Sequence, residues 1–114
     1  MSPKNKIKLN LLRIKLDKLD SQLLKIVKKR TEIIKKVLSL KEYKKEIIDK
    51  KRITTILTKI KKESLKKNID PKITHRIWKN MIWSYINFEK RNFKKKIIIY
   101  YEVGVFFQRK LHVF

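Results

Sequence analysis

The sequence predicts an all-α chain of three helices, the first very long, in a bundle that a second chain is expected to complete. Three observations carry this. First, Leu9, Leu12, Leu16, Leu19, Leu23, Ile26, Arg30, Ile33, Val37 and Leu40 recur in alternating steps of three and four, the spacing of a helix seam buried against other helices. Second, the chain holds one Gly and two Pro, so little interrupts a helix. Third, a helix over about residues 7 to 43 is roughly 55 Å long at 1.5 Å per residue. The remainder of a 114-residue chain is too small to cover its apolar stripe, and a monomer of this size has a marginal core.

The first helix is expected to run from Ile7 to Tyr43, followed by a polar turn, Lys44 to Ile48, without Gly or Pro. Asp49 suits the N-cap of a second helix, whose apolar positions are Ile53, Ile56, Leu57, Ile60 and, less regularly, Leu65. That helix should stop near Asn68, a residue that tolerates the left-handed conformation. Asp70-Pro71 marks the third start, a cap followed by proline at the first helical position. Ile77, Trp78, Met81, Ile82, Tyr85 and Ile86 return to three-four spacing, and the helix should end near Phe93. The expected division is therefore a helical domain over 1–93 and a tail over 94–114. In the tail, Ile97 to Tyr101 and Val103 to Phe107 are β-branched and aromatic, which favours extended structure. No chemistry is legible there.

Composition narrows the setting. Cysteine is absent, which removes disulfides and thiolate metal sites and suits a reducing compartment, here the cytoplasm. The start, MSPKNKIK, is basic but has no apolar core of a secretory signal. The longest apolar run, Ile97 to Phe107, is broken by Glu102 and is too short for a spanning helix. A net charge of +23 ordinarily points to nucleic acid or an anionic membrane. Yet 27 of the 33 basic residues are Lys, spread around the helices rather than along one stripe. They read as solvated faces, and nucleic acid is the disfavoured partner. Against that background the six arginines, at 13, 30, 52, 76, 91 and 109, are informative. Arg offers a planar fork that grips carboxylates through two bonds.

Arg30 stands in a seam whose nine other positions are aliphatic. Its guanidinium stays charged, and a buried charge needs an anion. That anion is either a protein carboxylate or a ligand. Lys41 lies eleven residues on, about 20° around the helix and roughly 16 Å along it. Arg13 lies near the other end of the helix on a different face. In an antiparallel pairing of long helices, one chain's Arg13 can approach the other's Arg30. Arg52 falls in the first turn of the second helix, and Glu89 continues the row of Trp78, Ile82 and Tyr85. The bland readings are an Arg30 ion pair with Glu32, Glu63 or Glu89, a surface Lys41, and a solvated Glu89. The functional reading rests on their joint spacing: four cations and one carboxylate suited to a small dianion. His75 and His112 have no company for nucleophilic catalysis, acidic and His residues lack metal-ligand spacing, and there is no Gly-rich phosphate loop. Trp78 and Trp83 read as packing groups.

Taken together, Leu12-Arg13-Ile14-Lys15-Leu16-Asp17-Lys18-Leu19-Asp20, Leu23-Leu24 up to Lys29-Arg30, Val37 to Lys41, Ile48-Asp49-Lys50-Lys51-Arg52, Ile69-Asp70-Pro71, and Ile77-Trp78 to Ile82 with Glu89 resemble the all-helical, AroQ-type (type II) chorismate mutases. The resemblance covers about Leu9 to Phe93. It implies an intertwined homodimer of three-helix chains with two equivalent sites, each taking an arginine from the partner's first helix. The family converts chorismate to prephenate by an intramolecular Claisen rearrangement, in the shikimate pathway towards phenylalanine and tyrosine. It uses no metal, cofactor or covalent intermediate. By the same resemblance, Arg13 reaches a substrate carboxylate across the dimer and Arg30 grips the other from within the chain. Lys41 contacts a carboxylate and the ether oxygen. Asp49 and Arg52 support the polar rim, Tyr85 stands where the family commonly has serine, and Glu89 faces the ether oxygen.

The chemistry fits those roles. Paired arginines select a dicarboxylate and hold it compact. Negative charge grows on the ether oxygen as its C–O bond breaks, and fixed donors there stabilise the transition state more than the ground state. Glu89 donates only while it holds a proton, so the expectation is that activity falls as pH rises through its titration and that Glu89→Gln flattens the profile. Three departures stand out. The family's acidic residue after the second-helix arginine is Ile53, its third-helix serine is Tyr85, and the loop from Lys41 to Asp49 is one residue shorter than is common. The first two resemble the isochorismate-pyruvate lyases, which share the fold and form salicylate; those lyases usually have Gln where this chain has Glu89. A reading from another class is a basic helical protein that binds nucleic acid or a helical partner, with salt-sensitive DNA affinity and Arg30 in a structural ion pair.

Overall fold

The structure, a computed structural model, describes residues 1–93. The expectations of extended structure beyond Lys94, and His112 with them, lie outside the described residues. Three α-helices follow in order: α1 over Pro3–Leu40, α2 over Lys50–Lys66 and α3 over Pro71–Asn92, with a short 3-10 turn at Lys44–Glu46 between the first two. The described residues divide into two compact units, 1–34 and 35–93.

The first unit is most of α1. The helix begins four residues before the expected Ile7, because Ser2 and Pro3 repeat the cap-proline signature of a helix start. The Ser2 Oγ accepts from the Asn5 N–H at 3.1 Å. Along this unit the seam is uncovered in the single chain: Leu12, Leu16, Leu19, Leu23 and Ile26 are each 56–59% exposed. A row of five large aliphatic side chains at helical spacing is far more than the scattered apolar residues that soluble surfaces tolerate.

The second unit holds the core. Leu38, Ile47, Ile82, Ile86 and Phe93 are buried, and Ile48, Ile53, Ile56 and Leu57 pack against them. Burying an aliphatic or aromatic side chain contributes about 1.5–3 kcal/mol, and Phe93, 2% exposed, is at the upper end. α1 ends at Leu40, three residues before the expected Tyr43. There the seam also departs from expectation. Leu38 is buried, while Val37 is 40% and Leu40 80% exposed. One residue is 100° of helix, so the row facing this unit's core is a neighbour of the predicted one.

α2 starts where Asp49 caps it, its Oδ1 accepting from the Arg52 N–H at 3.0 Å. It gives way at Asn68, whose φ of 57° is the left-handed conformation that asparagine adopts at modest cost. α3 starts where the Asp70 carboxylate accepts from the Lys72 N–H at 2.9 Å, with Pro71 in the first turn. The short connection makes α2 and α3 a helical hairpin. Near its turn Ser64 and Thr74, both buried, bond through their hydroxyls at 2.7 Å. Ser64 Oγ donates to the Ile60 carbonyl at 2.6 Å. A hydroxyl has one hydrogen, so with Ser64 donating to Ile60 the Thr74 hydroxyl is left to donate to Ser64 at 2.7 Å or to the Pro71 carbonyl at 3.4 Å, the shorter being the better bond. Leu65, expected on the apolar row, is instead 58% exposed; Ser64 takes the inward place.

Candidate active site

Two of the singled-out residues meet inside the second unit. Lys41 follows the last residue of α1, and Glu89 lies on the last turns of α3. The Lys41 Nζ donates to Glu89 Oε1 at 2.8 Å, and the two side chains are 18% and 6% exposed. Glu89 is therefore a buried carboxylate in an apolar row, not a solvated helix end, and Lys41 is not a surface lysine. Charge-assisted bonds of this length are about twice as strong as neutral ones. Their partners hold each other in place, since stripping one from a buried pair leaves a bare charge. Glu89 takes one of the three ammonium donors and so fixes the direction of the head group.

The fold explains the meeting. Ile82, Ile86 and Glu89 of α3 form one row with Phe93, the residue that caps the helix, and all four are buried. Spacing of four, three and four keeps them on the core-facing stripe. The same stripe that packs the hairpin thus carries the carboxylate inward. Tyr85, one turn before Glu89, is half-buried.

Lys41 also borders a surface depression lined by Glu46, Ile48, Asp49 and Lys50. Asp49 has one oxygen committed to the α2 cap, and Arg52 stands exposed in the first turn of α2. Glu63, weighed as a partner for Arg30, lies 3.9 Å from Lys59 across one helical turn. Arg13 and Arg30 belong to the first unit, where Arg13 is exposed and Arg30 half-buried. Arg30 is thus more covered than Ile26 and Ile33, its neighbours in the seam, each 59% exposed.

Glu46 escaped the sequence reading. Its Oε1 accepts from the Tyr43 N–H at 2.8 Å and the Glu42 N–H at 3.2 Å, closing the loop after Lys41. Only half of the usual signal was present: an acid stands three residues after the cap and reaches back to its N–H, but the cap is Tyr43 rather than Ser or Thr. Among the described residues, no group of three or more His, Asp and Glu is placed to hold a metal ion. No helix of these residues is long and apolar enough to cross a membrane.

The arrangement offers a fixed ammonium beside a buried carboxylate, next to a depression that adds one further cation, Lys50, and two carboxylates, Glu46 and Asp49. No curated protein and no solved structure matches the chain. The family model for chorismate mutase type II does match, over residues 12–90. That stretch takes in most of α1, all of α2 and the Lys41–Glu89 pair, and the chain belongs to the chorismate mutase type II family.

Proposed function

We propose that the protein is a homodimeric chorismate mutase, converting chorismate to prephenate in the cytoplasm on the route to phenylalanine and tyrosine. The observation that carries the reading is the Lys41–Glu89 pair, an ammonium and a carboxylate 2.8 Å apart and largely withdrawn from water, in a chain of this family. In the rearrangement the ether C–O bond breaks as a new C–C bond forms, and no proton or electron leaves the substrate. The protein's task is to select the compact conformer and to stabilise charge on the departing oxygen. Lys41 supplies a positive donor there, and Glu89 fixes it. Arg30 holds one substrate carboxylate and the partner's Arg13 the other, while Asp49, Arg52 and Tyr85 border the polar rim. Pairing of α1 between chains would also cover the exposed seam from Leu12 to Ile26.

A second reading is supported by Ile53 and Tyr85. An apolar residue after Arg52 and a phenol on α3 resemble the isochorismate-pyruvate lyases. Incubating the purified protein with chorismate and with isochorismate, then identifying products, separates the two. Prephenate from chorismate, lost in a folded Arg30→Ala variant, is the expected result. Salicylate and pyruvate from isochorismate at higher kcat/KM would transfer the assignment to the lyase. Neither product would remove both.

A further inference from the structure

Leu40 is the last residue of α1, and Lys41 is the first outside it. A lysine at that point has no helix to hold its backbone, yet its ammonium must meet Glu89. The Lys41 N–H reaches the Leu38 carbonyl at 3.1 Å. The next two N–H groups, of Glu42 and Tyr43, both go to one atom, Glu46 Oε1, at 3.2 and 2.8 Å. The Glu46 N–H returns to the Tyr43 carbonyl at 3.0 Å. The peptide units that follow Lys41 are thus tied down by a single carboxylate, with no glycine or proline in the segment. The next residue, Ile47, is buried at 3% exposure, which anchors the far side of the loop in the core.

Glu46 also borders the depression that Lys41 and Asp49 line. A carboxylate at the edge of a site for a dianion opposes binding by simple charge. Its shared oxygen is turned onto the loop backbone instead. We propose that Glu46 is a positioning residue: by accepting from Glu42 and Tyr43 it fixes the loop that aims Lys41 at Glu89 and at the substrate. The catalytic consequence rests on the mutase reading; the placement of Lys41 does not.

The test compares Glu46→Ala with Glu46→Gln in the full chain. Glutamine keeps an oxygen acceptor and drops the charge; alanine drops both. Alanine should lower kcat about ten- to a hundredfold, the range for a misaimed group at a reacting centre, with a smaller change in KM and little change in Tm. Glutamine should keep kcat and lower KM. Amide exchange at Glu42 and Tyr43 should quicken in the alanine variant alone. Wild-type kcat in the alanine variant, or equal losses in both, would overturn the proposal. If alanine prevents folding, Glu46→Asp, whose shorter arm draws the oxygen back, takes its place in the same comparison. If the unaltered protein does not turn over chorismate, the functional reading fails, and the Lys41 Nζ resonance decides the positioning alone. It should move on Glu46→Ala and hold on Glu46→Gln; an unmoved signal in the alanine variant would reject the role.

Discussion

At the scale of residues, Lys41 and Glu89 separate structural from catalytic worth. Each is the other's compensation in a region where water is scarce. Removing Lys41 leaves a buried carboxylate without its cation, and breaking such a pair costs about 3–5 kcal/mol. Lys41→Met should therefore lower the urea midpoint strongly as well as abolish turnover. Lys41→Met combined with Glu89→Leu replaces the pair by apolar groups of similar size, which is often neutral or stabilising. The double variant should recover most of the stability and none of the activity. Urea titration with parallel chorismate assays checks this; a double variant as unstable as the single would mean that the pair is not the source of the loss. The sequence made half of this visible. Glu89 interrupts an apolar row, which put it on the core-facing stripe, although period alone left a solvated helix end equally open. Lys41 was placed by its helical spacing from Arg30 and given its role by resemblance; its meeting with Glu89 was not legible, because that depends on α1 stopping at Leu40.

At the scale of elements, the legible features were those with local causes. Asp49 and Asp70 cap α2 and α3 through bonds to N–H groups two or three residues on, and Asn68 takes a positive φ; each needs only its neighbours. The Ser2-Pro3 start of α1 had the same local signature as Asp70-Pro71. The end of α1 did not, since the three-four row runs on through Leu40 after the helix has ceased to bury it. Leu38 rather than Leu40 faces the core because tertiary packing selects among adjacent rows that the periodicity alone leaves equivalent. The Ser64–Thr74 bond, too, had no local sign, as it joins two helices. It invites a measurement: Ser64→Ala leaves the buried Thr74 hydroxyl only the distant Pro71 carbonyl at 3.4 Å, at a cost towards the lower end of about 1–3 kcal/mol, whereas removing both polar groups can be nearly neutral. Ser64→Ala should thus be clearly less stable than Ser64→Ala/Thr74→Val, and thermal unfolding of the four members of the cycle gives the coupling.

At the scale of the whole molecule, the exposed seam of α1 and the proposed division of arginines make one prediction that neither makes alone. The row from Leu12 to Ile26 is apolar and uncovered in the single chain, and burial at about 25 cal/mol per Å2 drives such surfaces together. If a second copy covers it, and if each site draws Arg30 from one chain and Arg13 from the other, then Arg13→Ala and Arg30→Ala chains should each be inactive as homodimers. Unfolded together and refolded as a mixture, they should regain activity. A mixed dimer contains one site with both arginines and one with neither. Random pairing of equal amounts in a two-fold symmetric dimer makes half of the dimers mixed, so about a quarter of the unaltered activity should return. Two-fold dilution series and sedimentation give the dimer fraction independently of turnover. Full dimerisation with no regained activity would mean that both arginines of a site come from one chain, or that Arg13 does not touch substrate. Recovery that disappears when Leu19→Lys is placed on both chains would tie the effect to the α1 seam, because a charge inserted there opposes burial of the stripe without altering any group proposed to hold the substrate.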